Sequence, residues 1–347
     1  MSKSLFIESY PRRTRALARR RARRRRALGL LVLLAGGALA WGLQTALTHR
    51  GAHRPAPRAT APAPNPVTTP AVAPGRPAPA TPSATLAIAL SDAPVVHPRF
   101  AEPPRAGLLF NLNTGRVLWQ RAPKLRLPIA SLTKMMTALL VAQSTTADAR
   151  VPITREALEY QGSGVGELPY GRRVSVRALL AGLLLPSGND AAIALAQYVS
   201  GTVPRFVALM NEHAAELGLD CTHYSSPSGY YDEDNGSCAA DLAVLASLDL
   251  RQPRIASLTA RASVAVAFPI KGGRLFLNSN NPLVLEHYPG VTGLKTGFTT
   301  AAGLCLVATA ERHGVRLGVV LLHSPNPGEQ AAELLDRAFT GIYRLPA

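Results

Sequence analysis

The chain has 347 residues, 47% of them hydrophobic, with 38 Lys+Arg, 21 Asp+Glu and a formal net charge of +17. The charge is unevenly spread: residues 1–99 hold 16 Lys+Arg and 2 Asp+Glu, leaving only +3 on the rest. A basic tail on a nearly balanced body argues against a nucleic-acid-binding domain, and the 249 residues from Arg99 to Ala347 are enough for one good core.

Ten arginines lie between Arg12 and Arg26, followed from Ala27 by an apolar stretch with no charge until Arg50. About twenty apolar residues can cross a bilayer as a helix, and this stretch has no polar face of the kind a soluble core helix shows. Residues 1–26 therefore read as a basic cytoplasmic tail and 27–47 as a transmembrane signal-anchor, with the remainder sent outside. Its alternative is a signal peptide cut at Ala38-Leu39-Ala40, which would release the protein. The arginines suit anionic lipid headgroups better than DNA. Residues 48–98 shift to Pro, Ala and Thr, with ten prolines between Pro55 and Pro82, and are expected to be an extended disordered linker.

Within 99–347, Leu108–Asn111 and Val117–Gln120 flank Asn113-Thr114-Gly115 and predict a hairpin. Pro128 precedes an expected helix on which Ser131 and Lys134, three residues apart, share a face. A hydroxyl beside an amine suits acyl transfer, provided burial or a second cation keeps the lysine neutral. The chain uses lysine sparingly, at Lys3, Lys124, Lys134, Lys271 and Lys295 only. Arginine cannot deprotonate in a protein, so a retained lysine is a modest hint of chemistry. The glycine-rich Gly162-Ser163-Gly164-Val165-Gly166 lacks the Gly-Lys-Ser/Thr ending of a phosphate loop and reads as a surface turn.

Val174–Leu185, Asp190–Ser200 and Pro204–Leu217 look helical, and Ser187-Gly188-Asn189 sits where two of them meet, as a cap and turn would. Arg274–Leu277, Gly303–Ala310 and Val315–Leu322 look like strands, and Glu329–Ile342 like a closing helix. Lys295-Thr296-Gly297 comes just before an apolar, strand-like run and by itself reads as a turn. Strands at both ends with helices between imply an antiparallel sheet built from the two ends, with a helical insertion. Cys221, Cys238 and Cys305 leave the disulfide pairing open; outside the cytoplasm a Cys221–Cys238 bond would close the loop around Tyr230 and leave Cys305, in a strand, as a buried thiol. No His/Cys set has zinc spacing, and Asp232–Gly236 lacks the twelfth-position Glu of a calcium loop, so no metal is expected.

Ser131-Leu132-Thr133-Lys134, Ser187-Gly188-Asn189 and Lys295-Thr296-Gly297, in this order, resemble the three motifs of penicillin-binding proteins and class A β-lactamases. With Thr114–Leu118, Pro128–Leu140, Leu183–Ala192, Phe206–Leu219 and Gly303–Ala310, residues 100 to 325 are similar to the serine D-alanyl-D-alanine carboxypeptidases. The resemblance implies an α/β (α+β) fold of the β-lactamase/transpeptidase type, with an antiparallel sheet flanked by helices and a helical subdomain. Departures are Thr292 and Asn111, where the family commonly has Asp.

The resemblance implies Ser131 as nucleophile, Lys134 as its base, with Lys295 helping to keep it neutral, and Ser187 as proton relay. Asn189 would bind the substrate backbone and steady Lys134, and Lys295 and Thr296 the terminal carboxylate. Gly297 would let a strand-like substrate lie close, and the backbone N–H groups of Ser131 and Phe298 would form the oxyanion hole. No cofactor is implied. The expected partners are a peptidoglycan stem pentapeptide, β-lactams as covalent inhibitors, and the membrane through the N-terminal helix, with no nucleic acid; the expected place is the outer face of the cytoplasmic membrane. A D,D-endopeptidase would share the whole site and is the alternative. A β-lactamase should carry a Glu-x-x-Leu-Asn loop, and none lies between Ser187 and Lys295. A wall-binding module without activity should have lost a motif, and a transglycosylase–transpeptidase needs several hundred more residues. The C-terminal β-domain of some carboxypeptidases also lacks room after the last strand, so anchoring is expected to be N-terminal.

Overall fold

The structure, a computed structural model, describes residues 86–90, 94–166, 168–230 and 233–345. The expected tail, membrane segment and most of the linker lie outside these residues. Among the described residues, no single helix is long and apolar enough to cross a membrane.

The main sheet has five strands: β1 (Ala106–Asn111), β2 (Val117–Arg121), β7 (Val291–Thr299), β8 (Gly303–Arg312) and β9 (Val315–Ser324). Their spatial order is β2-β1-β9-β8-β7, and every neighbouring pair is antiparallel. The first and last strands of the described residues therefore meet where β1 pairs β9, in keeping with a sheet built from strands early and late in 99–347. Both faces of this sheet are covered, which is why β8 and β9 read as nearly continuous apolar runs. Leu108, Phe110, Val307, Val320 and Leu322 face the larger core, shared with the helices of the insertion. Leu109, Leu306, Ala308, Val319 and Leu321 face a smaller one closed by Leu334, Leu335 and Phe339. Each alternation follows the two-residue period of a strand.

The insertion is built on α1 (Lys134–Ser144), whose residues from Lys134 to Ala142 are all buried. Around it lie α2 (Arg155–Leu158), α3 (Val176–Leu184), α4 (Asn189–Ser200), α5 (Val203–Glu216), α6 (Ala239–Leu250) and α7 (Pro253–Thr259). Ser175 and Thr202 start α3 and α5 by accepting the N–H groups of Ala178 and Arg205, a standard use of short hydroxyl side chains.

Several boundaries differ from the sequence expectation. Val174 and Ser175 belong to β4 (Arg173–Ser175), paired with β3 (Arg150–Pro152), and the helix begins only after the Ser175 cap. The strand expected at Arg274–Leu277 is β6 (Arg274–Asn278), but it pairs with β5 (Ser263–Ala267) in a hairpin outside the main sheet. After α8 (Pro282–Leu285), the closing helix is α9 (Pro327–Asp336), which widens into a π-helical turn over Arg337–Ile342. The folded body also starts before Arg99: Val96 is buried and its N–H reaches Leu118 O, and Ala89 bridges to Arg116.

The two departures from the family pattern serve local packing. Asn111 Oδ1 accepts the N–H groups of Asn113 and Thr114, fixing the β1–β2 turn, while its Nδ2 donates to Tyr343 Oη. Thr292 Oγ1 bonds Thr309 Oγ1 across the strands.

Candidate active site

Ser131 does not lie on the α-helix expected of it. Ala130–Thr133 is a 3-10 turn, and α1 begins at Lys134. In a 3-10 turn residues i and i+3 eclipse, so the tighter winding brings the two side chains more nearly in line than an α-helix would. Lys134 Nζ lies 2.7 Å from Ser131 Oγ and donates to Ser228 O at 2.7 Å. The lysine is fully buried.

Ser228 belongs to a loop seated on this turn. Thr137 Oγ1 donates to Pro227 O at 2.7 Å, and Asn235 Nδ2 to Thr133 Oγ1 at 3.0 Å. Gly229, at φ +71°, presses so close that a Cβ there would lie 1.9 Å from Ala130 O. Cys221 and Cys238, one of the pairings that three cysteines leave open, form a disulfide that closes this loop, and Cys305 is a buried thiol outside it.

The second lysine arrives from the sheet edge. Lys295-Thr296-Gly297 lies within β7 rather than in a turn before a strand, and β7 is an end strand of the sheet with β8 on its other side. Lys295 is 1% exposed and donates to Thr296 O at 2.9 Å. The bare face of Gly297 points at the nucleophile turn: a Cβ would lie 2.8 Å from Ile129 O and 3.2 Å from Ser131 N. This glycine lets strand and turn touch, a role different from the room for substrate expected of it. The Phe298 side chain is exposed and that of Thr296 half-buried.

Burial pushes both amines towards neutrality. Lys134 is driven well below the usual lysine range by burial and then by the Lys295 cation, with the Asp190 charge pulling the other way. Burial lowers Lys295 to about 7.

Ser187-Gly188-Asn189 leads into α4, whose Asp190 charge acts on Lys134. Ser187 sits at φ +67°, in the left-handed region that few side chains adopt, and its buried Oγ has no hydrogen-bond partner among the described residues. Asn189 differs from expectation, since its Nδ2 donates to Gln161 O at 2.5 Å and no bond joins it to Lys134. Its backbone N–H donates to Ser163 O. The Gly162–Gly166 segment is thus no plain surface turn but is bonded to the start of α4.

Sequence reasoning passed over two groups. Asp190 was legible as an acid opening an otherwise apolar helix turn, Ala191-Ala192, but its partners 24 and 25 residues back were not. Ser228 acts through its carbonyl, which leaves no trace in side-chain identity.

A family model described as D-alanyl-D-alanine carboxypeptidase, peptidase S11, matches residues 102–326. The D-alanyl-D-alanine carboxypeptidase DacF of Bacillus subtilis is 32% identical over 244 residues, covering 68% of this chain and 62% of that protein. The chain therefore spans less than two thirds of that relative's length. A D-alanyl-D-alanine endopeptidase of Pseudomonas aeruginosa is 34% identical over 251 residues, covering 68% of this chain and 80% of that one. The crystal structure of the Streptomyces K15 DD-transpeptidase superposes with a TM-score of 0.66 at 31% identity, covering 71% of this chain and 99% of that one.

Proposed function

The chain belongs to the peptidase S11 family of D-alanyl-D-alanine carboxypeptidases, and from that premise we propose that it removes the terminal D-alanine from peptidoglycan stem peptides through an acyl-enzyme on Ser131. The observation that carries this reading is the 2.7 Å contact between Ser131 Oγ and the buried amine of Lys134, with Lys295 acting on the same amine.

In this reading neutral Lys134 takes the proton of Ser131 as Oγ attacks the carbonyl between the two D-alanines. The backbone N–H groups of Ser131 and Phe298 hold the oxyanion, worth about 3 kcal/mol per donor. Ser187 Oγ, buried and with no hydrogen-bond partner among the described residues, passes a proton to the leaving D-alanine. Lys295, when protonated, and Thr296 bind the terminal carboxylate. Asn189 meets the substrate backbone while holding the Gln161 loop. Water then releases the acyl group, and a β-lactam takes the substrate's place as a covalent inhibitor. The arginine run and apolar stretch before residue 50 support an enzyme anchored at the outer face of the cytoplasmic membrane.

Ser131→Ala should abolish labelling by a fluorescent penicillin and release of D-alanine from a pentapeptide. Persistent labelling rejects this nucleophile. Cutting of a cross-linked muropeptide without D-alanine release would replace the carboxypeptidase by an endopeptidase.

A further inference from the structure

Two adjacent residues, Asn189 and Asp190, hold the segment Gln161–Gly166 by four hydrogen bonds. Asn189 donates from Nδ2 to Gln161 O and from its backbone N–H to Ser163 O. Asp190 Oδ1 accepts Val165 N–H at 2.9 Å, and Oδ2 accepts Gly166 N–H at 3.1 Å. Asp190 is 1% exposed and forms no salt bridge among the described residues, so its charge is met by backbone N–H groups, including that of Ala191 at 2.8 Å. The Val165 side chain plugs the gap beneath: a Cβ on Gly182 or Gly188 would lie 2.4 or 2.8 Å from Val165 Cγ2. At the other end of the segment, a Cβ on Gly162 would lie 2.6 Å from the Tyr230 ring and 2.9 Å from Asn189 Nδ2. The segment therefore runs from its latch at Asp190 to a contact with both the proposed substrate-binding amide and the loop that carries Ser228.

We infer that Asp190 is a positioning residue, its carboxylate latching Gln161–Gly166 as the cleft wall that sets stem-peptide affinity through Asn189. This rests on the D,D-peptidase reading for its consequence but not for its geometry. The bonds of Lys134 to Ser131 and to the Ser228 carbonyl do not involve Asp190, and removing the Asp190 charge only favours the neutral lysine, so loss of the latch should weaken binding more than chemistry.

Asp190→Asn tests this with nearly unchanged shape. The amide oxygen can still accept one N–H, but its NH2 group cannot accept the second, so a donor then faces a donor. The expected result is amide exchange at Val165 or Gly166 faster by about tenfold or more, with KM for a pentapeptide raised about tenfold and kcat within about threefold. Val165→Ala, which withdraws the plug and keeps the carboxylate, should move KM the same way and serves if Asp190→Asn does not fold. Unchanged exchange at both amides, or a fall in kcat with KM unchanged, overturns the inference. If the unmodified protein neither binds penicillin nor releases D-alanine, the D,D-peptidase reading fails, while the exchange comparison still decides the latch.

Discussion

Lys134 donates to the carbonyl oxygen of Ser228 across 2.7 Å, a contact spanning 94 residues of sequence. A neutral amine has two N–H bonds and one lone pair. With one N–H committed to Ser228, the lone pair can be turned to Ser131 Oγ, also at 2.7 Å. The loop carbonyl thus orients the base, and burial keeps it unprotonated.

Lys134→Arg should abolish acylation, because it puts a permanent cation where a neutral amine is needed. Guanidinium cannot lose its proton near neutral pH, and the planar fork does not fit a site shaped for one buried amine. The rate of penicillin uptake by intact mass should fall at least about a hundredfold. A variant acylating within tenfold of the original would mean that Lys134 is not the base.

The two lysines predict the pH profile. Lys134 acts as a base only when neutral, so activity falls as pH drops through its depressed pKa, well below the usual lysine range. Lys295 binds a carboxylate best when charged, so affinity weakens as pH rises through about 7. Acylation at low penicillin concentration should therefore lose rate from about pH 7 upward. Saturating ligand should move that limb higher, because a bound carboxylate favours the charged amine. A flat response from pH 6 to 9 would remove Lys295 from carboxylate binding. The same burial costs stability: between about 7 and the ordinary lysine value the unfolded chain binds the extra proton, so this group's contribution improves as pH rises.

Much of this site was legible because its chemistry lives in side chains at fixed spacing. Ser131 and Lys134 announce themselves by a three-residue step, and β8 and β9 by their apolar runs. Their immediate setting was not legible. The choice between a 3-10 turn and an α-helix at Ser131 depends on Gly229 and Gly297 pressing on the turn from distant loop and strand. Lys295-Thr296-Gly297 looked like a turn because Thr and Gly are weak strand signals, yet pairing with Val307, Leu306 and Cys305 overrides that preference. Gly162–Gly166 reads as a surface turn, whereas Tyr230 packs where a side chain on Gly162 would stand and Tyr160 where one on Gly164 would.

Asp249 on α6 is fully buried, and neither carboxylate oxygen has a hydrogen-bond partner among the described residues. Burial raises its pKa well above the carboxylate range, so the folded protein keeps a proton that the unfolded chain releases above about 3.9. Stability from this group should then fall by about 1.4 kcal/mol per pH unit as pH rises until the folded pKa is reached. Asp249→Asn removes that slope. Urea melts should show a stability gap in favour of the variant that widens from pH 4.5 to 6, and parallel curves would show that Asp249 is not protonated.

Cys221–Cys238 joins the ends of the loop that carries Ser228, at a sequence separation of 17. Closing a loop of this length in the unfolded chain is worth about 3 kcal/mol. The bond should matter for activity as well, because between its two ends lie the carbonyl that orients Lys134 and Asn235, which bonds Thr133. Replacing both cysteines by serine should lower unfolding free energy by about 3 kcal/mol in urea. Penicillin acylation of the still-folded variant should slow more than about threefold, since the base loses part of its support. Cys305→Ser, on β8 away from the loop, is the control for general thiol loss. An acylation rate equal to that of the unmodified protein, with stability reduced, would confine the disulfide to holding the fold and leave the orientation of Lys134 to the loop's own hydrogen bonds.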